Sequence, residues 1–321
     1  MLFTPAIQMR TRLTGLLFII GLTLPGCVQE PAPLNLGTNI WPGYEPLYLA
    51  REQELFSEQQ IHLVEYTSAS QVLNAYRNGI IDAAALTMDE VFTLQSEGLA
   101  PKILLVLDIS KGGDAILGHS GITTFKQLQG KRVGVENTAL GAYFLSRALQ
   151  KNDMDEDDIQ IVPIEHHQHI AYFNSHKVDA VVSFEPVCST LKQQGATVLF
   201  DSSMLDNEIV DVLVIDNRAY ATHQQQFQSL KDAWYRAIEQ VKARDPVAMK
   251  IINRRLQLDK SSLLSSYDGL LLPDRALNHQ LISGPQPGLL ATSEKLAHTM
   301  LSKKLVQGTL NPADLFTDMK K

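Results

Sequence analysis

Five acidic residues, Asp89, Asp108, Asp114, Glu185 and Asp211, fall at or just beyond segments that read as β-strands. Three aromatic residues, Trp41, Tyr44 and Phe184, occupy the same kind of position. In open α/β sheets the strand ends are where ligands bind. No arginine or lysine sits at the matching positions apart from Lys111, in a glycine-rich stretch. A simple inorganic anion would therefore meet repulsion: at about 4 Å and an effective dielectric near 20, each unpaired like charge costs roughly 4 kcal/mol. A ligand with a cationic nitrogen suits this set better, and the rings could stack on it or cover the charge. Each acid could instead be a helix cap, a hinge salt bridge or a solvated loop residue, with Asp211 only orienting the hinge.

A second group could act differently. Ser68, Ala69, Thr87 and Thr138 stand where helices begin. Free N–H groups and a partial positive charge at a helix start suit a sulfonate, nitrate or carboxylate. The hydroxyls among them could equally do nothing but cap. For covalent or metal chemistry the signals are weak. His166, His167 and His169 cluster, yet only His166 and His169 are spaced to be neighbours on one helix face. No His-Glu-x-x-His motif accompanies them, so they read as a polar helix start, and no metal or cofactor is expected. There is no Gly-x-Ser-x-Gly elbow, P-loop or dinucleotide fingerprint. Gly112-Gly113 lacks the further glycine and helix that a phosphate cradle needs. Cys188 reads as a small buried apolar residue.

The elements that must position these groups alternate. Residues 34–40, 61–66, 80–86, 102–108, 132–136, 159–164 and 178–183 have strand character. Helical spacing fills 46–57, 70–78 and 167–176, with a further helix after Thr138. Thr87-Met-Asp-Glu90 and Thr124-Phe-Lys-Gln127 have capping-box spacing. From about residue 223 the chain is mostly helical, with Trp234, Ile238 and Val241 on one face. Repeated β-α units with short links predict parallel sheets covered by helices. A weak repeat is visible. Asn78-Gly-Ile-Ile-Asp82 resembles His176-Lys-Val-Asp179, in each case a helix end, a short link and an Asp before an Ala/Val strand. Two similar units imply two similar lobes. His176 stands where the first unit has Gly79, and His is among the few residues enriched at left-handed backbone angles.

The 321 residues are ample for one large domain or two ordinary ones. A net charge of −7, with no basic tract, argues against a nucleic-acid partner. At the N-terminus, Arg10 and Arg12 precede an apolar run over 13–24, too short for a comfortable membrane span. It has the form of a secretory signal peptide. Leu24-Pro-Gly-Cys27 then resembles a bacterial lipobox, which implies a signal peptide over 1–26 and acylation of Cys27. Residues 27–33 are Pro-rich and polar, and read as the lipidated cysteine and an extended tether. Each buried lipid CH₂ contributes about 0.8 kcal/mol, so several acyl chains hold a protein at a membrane almost irreversibly. With Cys27 lipidated, Cys188 has no disulfide partner.

Taken in order, several phrases resemble the periplasmic solute-binding proteins of the nitrate/sulfonate/taurine transport group, which includes thiamine-pyrimidine precursor binders. They are Trp41-Pro-Gly-Tyr-Glu-Pro46, Asn78-Gly-Ile-Ile-Asp82, Phe125-Lys-Gln-Leu-Gln-Gly-Lys-Arg-Val-Gly-Val135 and Phe184-Glu-Pro186. The resemblance covers roughly 34–320. It implies an α/β bilobed fold of the periplasmic-binding-protein type II class, joined by a two-strand hinge. Lobe one would comprise 34–116 plus 215–321, and lobe two 117–214, with hinges at Ile116–Gly118 and Val212–Val214. It further implies a non-enzymatic, monomeric lipoprotein of the periplasm or cell surface. Such a protein captures a small ligand by lobe closure for an ABC permease with its cytoplasmic ATPase. The expected ligand is amine-bearing or N-heterocyclic, of a sulfonate-, taurine- or pyrimidine-like kind, and the expected contacts are Trp41, Tyr44, Ser68, Ala69, Thr87, Asp89, Asp108, Asp114, Thr138, Phe184, Glu185 and Asp211. A ligand-sensing lipoprotein feeding a signalling partner, and a relative of the thiamine-pyrimidine synthases, are the alternatives.

Overall fold

Alternation of strand and helix carries through the chain from Leu34. In the computed structural model, residues 1–3 and 32–316 are described. Cys27 and the 4–26 segment lie outside the described residues. The first lobe opens with β1 (Leu34–Asn39), α1 (Glu45–Glu52), β2 (Ile61–Tyr66), α2 (Ala69–Arg77), β3 (Ala83–Thr87), α3 (Met88–Ser96) and β4 (Pro101–Ser110). The chain then crosses into the second lobe. That lobe contains β5 (Asp114–Gly118), β6 (Arg132–Val135), α4 (Ala139–Lys151), β7 (Gln160–Pro163), α5 (His169–Asn174), β8 (Ala180–Phe184), α6 (Val187–Gln193) and β9 (Thr197–Asp201). It returns through β10 (Val210–Asp216) and continues as α7 (Asn217–Thr222), α8 (Gln224–Lys242), α9 (Pro246–Leu256) and α10 (Lys260–Asp268). Last come β11 (Leu270–Leu271), α11 (Arg275–Ile282) and α12 (Leu290–Ser302).

The two sheets run β11-β4-β10-β3-β1-β2 and β7-β6-β8-β5-β9. In each, a parallel trio meets an antiparallel strand that carries the chain across from, or back to, the other lobe. The bilobed α/β expectation is met. The duplication behind it is exact in register. Asp82 accepts the Asn35 N–H at 2.8 Å, and Asp179 accepts the Arg132 N–H at 2.9 Å, each bond spanning 47 residues. From Asn35 to Arg132 and from Asp82 to Asp179 is a shift of 97 positions both times. The same shift carries the β1–β3 pair Leu36/Ala83 onto the β6–β8 pair Val133/Ala180. Gly79 and His176 both take positive φ, +63° and +54°. The histidine therefore does the work of the glycine, as its left-handed tolerance allows.

The crossings differ from expectation. They fall at Lys111–Gly113 and between Asp201 and Val210 rather than at 116/117 and 214/215. Ile116–Gly118 is interior to β5, and Val212–Val214 to β10. Runs of buried apolar residues continue a strand, whereas Lys-Gly-Gly and the polar 202–208 stretch can turn. Gly112 turns at φ +122°, which disfavours any other residue. Ser202 Oγ lies 2.7 Å from Ser110 Oγ and accepts the Gly112 N–H at 2.6 Å, so the two crossing segments are tied side by side.

Three apolar layers fill the molecule. The 3.6-residue period of α8 puts Phe227, Leu230, Trp234, Ile238 and Val241 on one buried face. With α1 and α9 that face covers one side of the first sheet. Each fully buried large side chain contributes roughly 1.5–3 kcal/mol. A second layer runs from the other side of that sheet through α3 and α4 into lobe two. A third, containing the fully buried Cys188, lies under α5 and α6.

Lobe contact is reinforced at Glu208, in the return crossing. This buried carboxylate accepts from Arg147 Nε (2.7 Å) and Nη2 (2.9 Å), from Tyr143 OH (2.8 Å), both on α4, and from Lys295 Nζ (3.2 Å) on α12. Those donors outweigh desolvation and hold its pKa down to about 2. Glu208→Ala would leave the partly buried Arg147 and the buried Tyr143 hydroxyl without their acceptor. Loss of one member of a buried pair costs about 3 kcal/mol. Urea unfolding is therefore expected to show destabilisation of about that size, and a change below 1 kcal/mol would contradict the role assigned to Glu208.

Candidate functional site

Duplicated strands deliver their ends to one gap. Asp211 on β10 lies opposite Thr87, the last residue of β3. Asp114 on β5 lies opposite Phe184, the last residue of β8. Thr87 and Phe184 are related by the internal shift, so each lobe offers an aspartate beside the end of its central parallel strand. Asn39 and Glu136, also related by that shift, stand at the ends of β1 and β6. All six line one small cavity, together with Trp41, Tyr44, Ala69, Glu90 and Leu140.

The aromatic wall is pinned by acids. Trp41 Nε1 donates to Asp108 Oδ2 at 3.0 Å, and the Tyr44 hydroxyl donates to Asp211 Oδ1. Gly43 is required there, because a β-carbon would stand 1.8 Å from Asp108 Oδ2 and 2.5 Å from Trp41 Nε1. Across the gap, the Trp41 ring meets the Phe184 ring edge-on, with centroids 5.7 Å apart. Phe184 is backed by the His166 ring, stacked at 3.8 Å. Ser70 Oγ in lobe one donates to Glu165 Oε2 in lobe two at 2.9 Å. Gln193 on α6 donates to Ser262 Oγ on α10 at 2.9 Å. These bonds place the lobes in contact on both sides of the cavity.

Electrostatically the site is one-sided. Glu90 Oε1, Asp114 Oδ2, Glu136 Oε1 and Asp211 Oδ2 are buried without a hydrogen-bond partner. No lysine or arginine is among the lining residues. Burial, the dominant cause, pushes the Asp114 pKa up to about 7, with Glu185 adding to the rise. Burial likewise lifts Glu136 to about 8, aided by Glu90 and Glu165. Asp211 and Asp108, neighbours across β10 and β4, are both raised, by burial first and by nearby acids second. A group of acids removed from water without a counter-charge holds protons near neutral pH.

Of the residues expected from sequence, Trp41, Tyr44, Ala69, Thr87, Asp114, Phe184 and Asp211 line this cavity. Thr138 lines an adjoining space and also caps α4 through Gly141 N–H at 3.3 Å. Four others stand elsewhere. Glu185 turns away, accepting from Ser189 N–H (2.9 Å) and Lys192 Nζ (3.0 Å), because α6 begins two residues later and needs its first-turn N–H groups capped. Asp108 stands behind Trp41. Ser68 Oγ is 2.9 Å from Ser70 Oγ, outside the cavity wall. Asp89 is buried on α3, and its neighbour Glu90 takes the cavity position instead. Glu90 sits three residues into that helix and its Oε2 accepts the Thr87 N–H at 3.0 Å. That capping-box contact draws it to the strand end.

The histidine cluster does stand at a helix start, with His166 and His169 buried there. His169 Nδ1 is 2.9 Å from Ser183 Oγ. Burial lowers the pKa of both, that of His169 to about 4. Sequence reasoning missed Glu136, Glu90, Asn39 and Leu140. The first could have been found by shifting strand-end Asn39 along the repeat. Among the described residues no cluster of metal-ligating side chains occurs, and no helix is long and apolar enough to cross a membrane.

These pKa directions fix a pH dependence. A carboxyl raised above its unfolded value, about 4, contributes stability fully present below that value and lost as pH rises through the folded pKa. His166 and His169, depressed in the fold, oppose this only below about pH 6.5, where the unfolded chain begins to protonate them. Between pH 6.5 and 8.5 the acids act alone. Chemical denaturation of the ligand-free protein should lose about 2 kcal/mol across that window, and Asp114→Asn should flatten the slope. A rise in stability with pH there would contradict the assignment.

Comparison with known proteins adds the following. The profile of the NMT1-like family matches residues 28–254. An 80-residue stretch is 29% identical to a protein named as a binding protein from Brucella abortus (strain 2308). It covers 25% of this chain and about a quarter of that relative's length. The alkanesulfonate-binding protein SsuA from Xanthomonas axonopodis pv. citri, solved bound to MOPS, superposes with a TM-score of 0.74 at 19% identity. It covers 87% of this chain and 96% of that one. The periplasmic aliphatic sulphonate binding protein SsuA from Escherichia coli gives 0.71 at 20% identity, covering 89% and 96%.

Proposed function

The chain belongs to the NMT1-like family, and from that premise we propose that it is an extracytoplasmic solute-binding protein of an ABC importer that captures a small cationic amine. One observation carries the ligand class: four carboxylates that line a single small cavity have buried oxygens without a hydrogen-bond partner, and no basic residue stands in its wall. A protonated amine answers them with charge and N–H donors at once, and Trp41, Tyr44 and Phe184 supply the rings that shield it. The sulfonates named for the SsuA proteins would meet like charge wherever these acids are ionised, with no basic residue in the wall to offset it. Capture requires no chemistry on the ligand. The cavity wall combines residues of both lobes, so a bound ligand favours the closed arrangement, and that arrangement is what a permease would read.

Protons couple to capture. A cation beside Asp114, Glu136 and Asp211 favours their ionised forms, so binding releases protons and strengthens as pH rises toward 8. Calorimetry of a small primary amine should show affinity rising by up to tenfold per pH unit for each proton released between pH 6 and 8, with heats that vary with buffer. Asp211→Asn and Glu136→Gln should each weaken binding at least tenfold. Tighter binding of an amine-free alkanesulfonate, such as ethanesulfonate, than of any simple amine would overturn the ligand class.

Delivery to the membrane rests on the N-terminal sequence alone. With the Leu24–Cys27 motif read as a lipobox, Cys27 carries the anchor and the 28–33 stretch the tether. Cells fed radiolabelled palmitate should label the wild-type protein and not Cys27→Ser. Equal labelling, or none in either, removes the anchor from the proposal.

A further inference from the structure

Asp108 stands outside the cavity wall, yet it lies directly opposite Asp211 across the β4–β10 ladder. Opposite residues on antiparallel strands share a face, with β-carbons about 4.5–5.5 Å apart. Each carboxyl gives one oxygen to a ring. Asp108 Oδ2 accepts from Trp41 Nε1 at 3.0 Å, and Asp211 Oδ1 accepts from the Tyr44 hydroxyl. The second oxygen of each, Asp108 Oδ1 and Asp211 Oδ2, is buried without a hydrogen-bond partner. The charged groups acting on the pair bring no relief, because Asp114 presses on both and Glu90 on Asp211, and each is itself an acid. Like charges directly opposite one another in a sheet are destabilising, the more so away from water. As carboxylates, neither group can donate to the other. One proton between the two free oxygens removes the repulsion and satisfies both.

We propose that Asp108 and Asp211 share a single proton, carried on Asp108 Oδ1 and donated to Asp211 Oδ2, and that Asp108 is thereby a positioning residue of the cation site. Its role toward a ligand rests on the cationic-ligand reading; the shared proton does not. The surroundings decide which group keeps the proton. Asp211 lines the cavity and receives the phenol O–H, whereas Asp108 meets an indole N–H and lines no cavity. Negative charge therefore settles on Asp211, where a ligand ammonium can reach it. A carboxylate has lone pairs to spare, so two internal bonds leave room for a ligand N–H. Burial is the main cause that raises the pKa of Asp108, to about 8, with hydrogen bonds to Trp41 and Asp211 opposing it. Such a pair titrates as a unit. Through it, the two rings of lobe one are held by one chain of hydrogen bonds, from indole to Asp108 to Asp211 to phenol.

The amide of Asp108→Asn reproduces the proposed state, with Oδ1 accepting from Trp41 and Nδ2 donating to Asp211. A first test counts acids in the ligand-free protein at pH 7. The infrared carbonyl band of protonated carboxyls should lose one group's intensity in Asp108→Asn, and adding Asp211→Asn should remove nothing more. No loss at the first substitution shows both groups ionised, and a further loss at the second shows both protonated; either result overturns the proposal. A second test is calorimetry with ethylamine. Asp108→Asn should bind within about threefold of the wild type, because no charge and no hydrogen bond is lost. Asp108→Leu, which can hold neither Trp41 nor Asp211, should bind at least about tenfold more weakly, as loss of a hydrogen bond to a charged group implies. Weakening by Asp108→Asn as severe as that by Asp211→Asn overturns the shared proton, and wild-type affinity in Asp108→Leu overturns the positioning role. Failure of ethylamine to bind even the wild type removes the cationic reading and leaves the infrared count to decide the proton. Because Asp108→Asn mimics the protonated pair, its failure to fold counts against the proposal. The ethylamine series decides should the double variant not fold.

Discussion

A carboxyl group taken out of water must keep its proton or find a positive charge, and the cavity between the lobes confronts that choice several times over. At Glu45 and Glu208 the protein supplies that charge itself. Glu45 accepts from Arg255 Nε through both oxygens, at 2.9 and 3.0 Å, and that guanidinium also lies 3.5 Å over the Tyr48 ring. Glu208 gathers an arginine, a lysine and a tyrosine. At the cavity the supply of internal donors stops short. Asp211 has Tyr44, Glu90 has one backbone N–H, and each still has an oxygen without a hydrogen-bond partner. Asp89 Oδ2 and Asp108 Oδ1, outside the cavity wall, are left without a partner as well, so the unsatisfied acids extend beyond the lining itself.

Duplication explains how so much acid came to one place. A unit that ends its central strand beside an antiparallel aspartate, used twice and turned face to face, brings both aspartates to the same gap. The two copies have since diverged on the helix side of the strand ends. Lobe one supplies rings and the polar Asn39, while lobe two supplies Glu136 and Leu140. The site is therefore symmetric in backbone and asymmetric in chemistry, and a ligand with two unlike ends suits it better than one with two alike.

Much of this was legible in the residues. Alternating apolar strands, the repeated Asp82 and Asp179, and the left-handed tolerance of His176 gave the lobes and their likeness. Strand-end position found Trp41, Tyr44, Asp114, Phe184 and Asp211. What it could not resolve was direction within a turn. Asp89 and Glu90 are adjacent, and only the capping contact to Thr87 determines which of them faces the cavity. Glu185 follows a strand end like the others, yet the first turn of α6 and Lys192 claim it. The burial of the histidines at their helix start was not legible for a related reason. Polar residues at a helix start usually face water, and here the helix start is itself pressed against Phe184. The resemblance put the hinges within what are β5 and β10, because it does not mark the residue at which the chain leaves one sheet for the other.

Gly113 deserves a mechanical reading. Its Cα lies so close to the indole of Trp41 that a β-carbon would stand 2.6 Å from Cη2, and Gly112 beside it is the left-handed turn of the first crossing. Pivot and lid are thus one assembly. Swinging the lobes apart would drag the crossing backbone past the indole edge, so on the proposed reading the ring that would cover a guest would also be the bearing on which the joint turns. The size of whatever sits beneath the indole would then be transmitted directly into the angle between the halves.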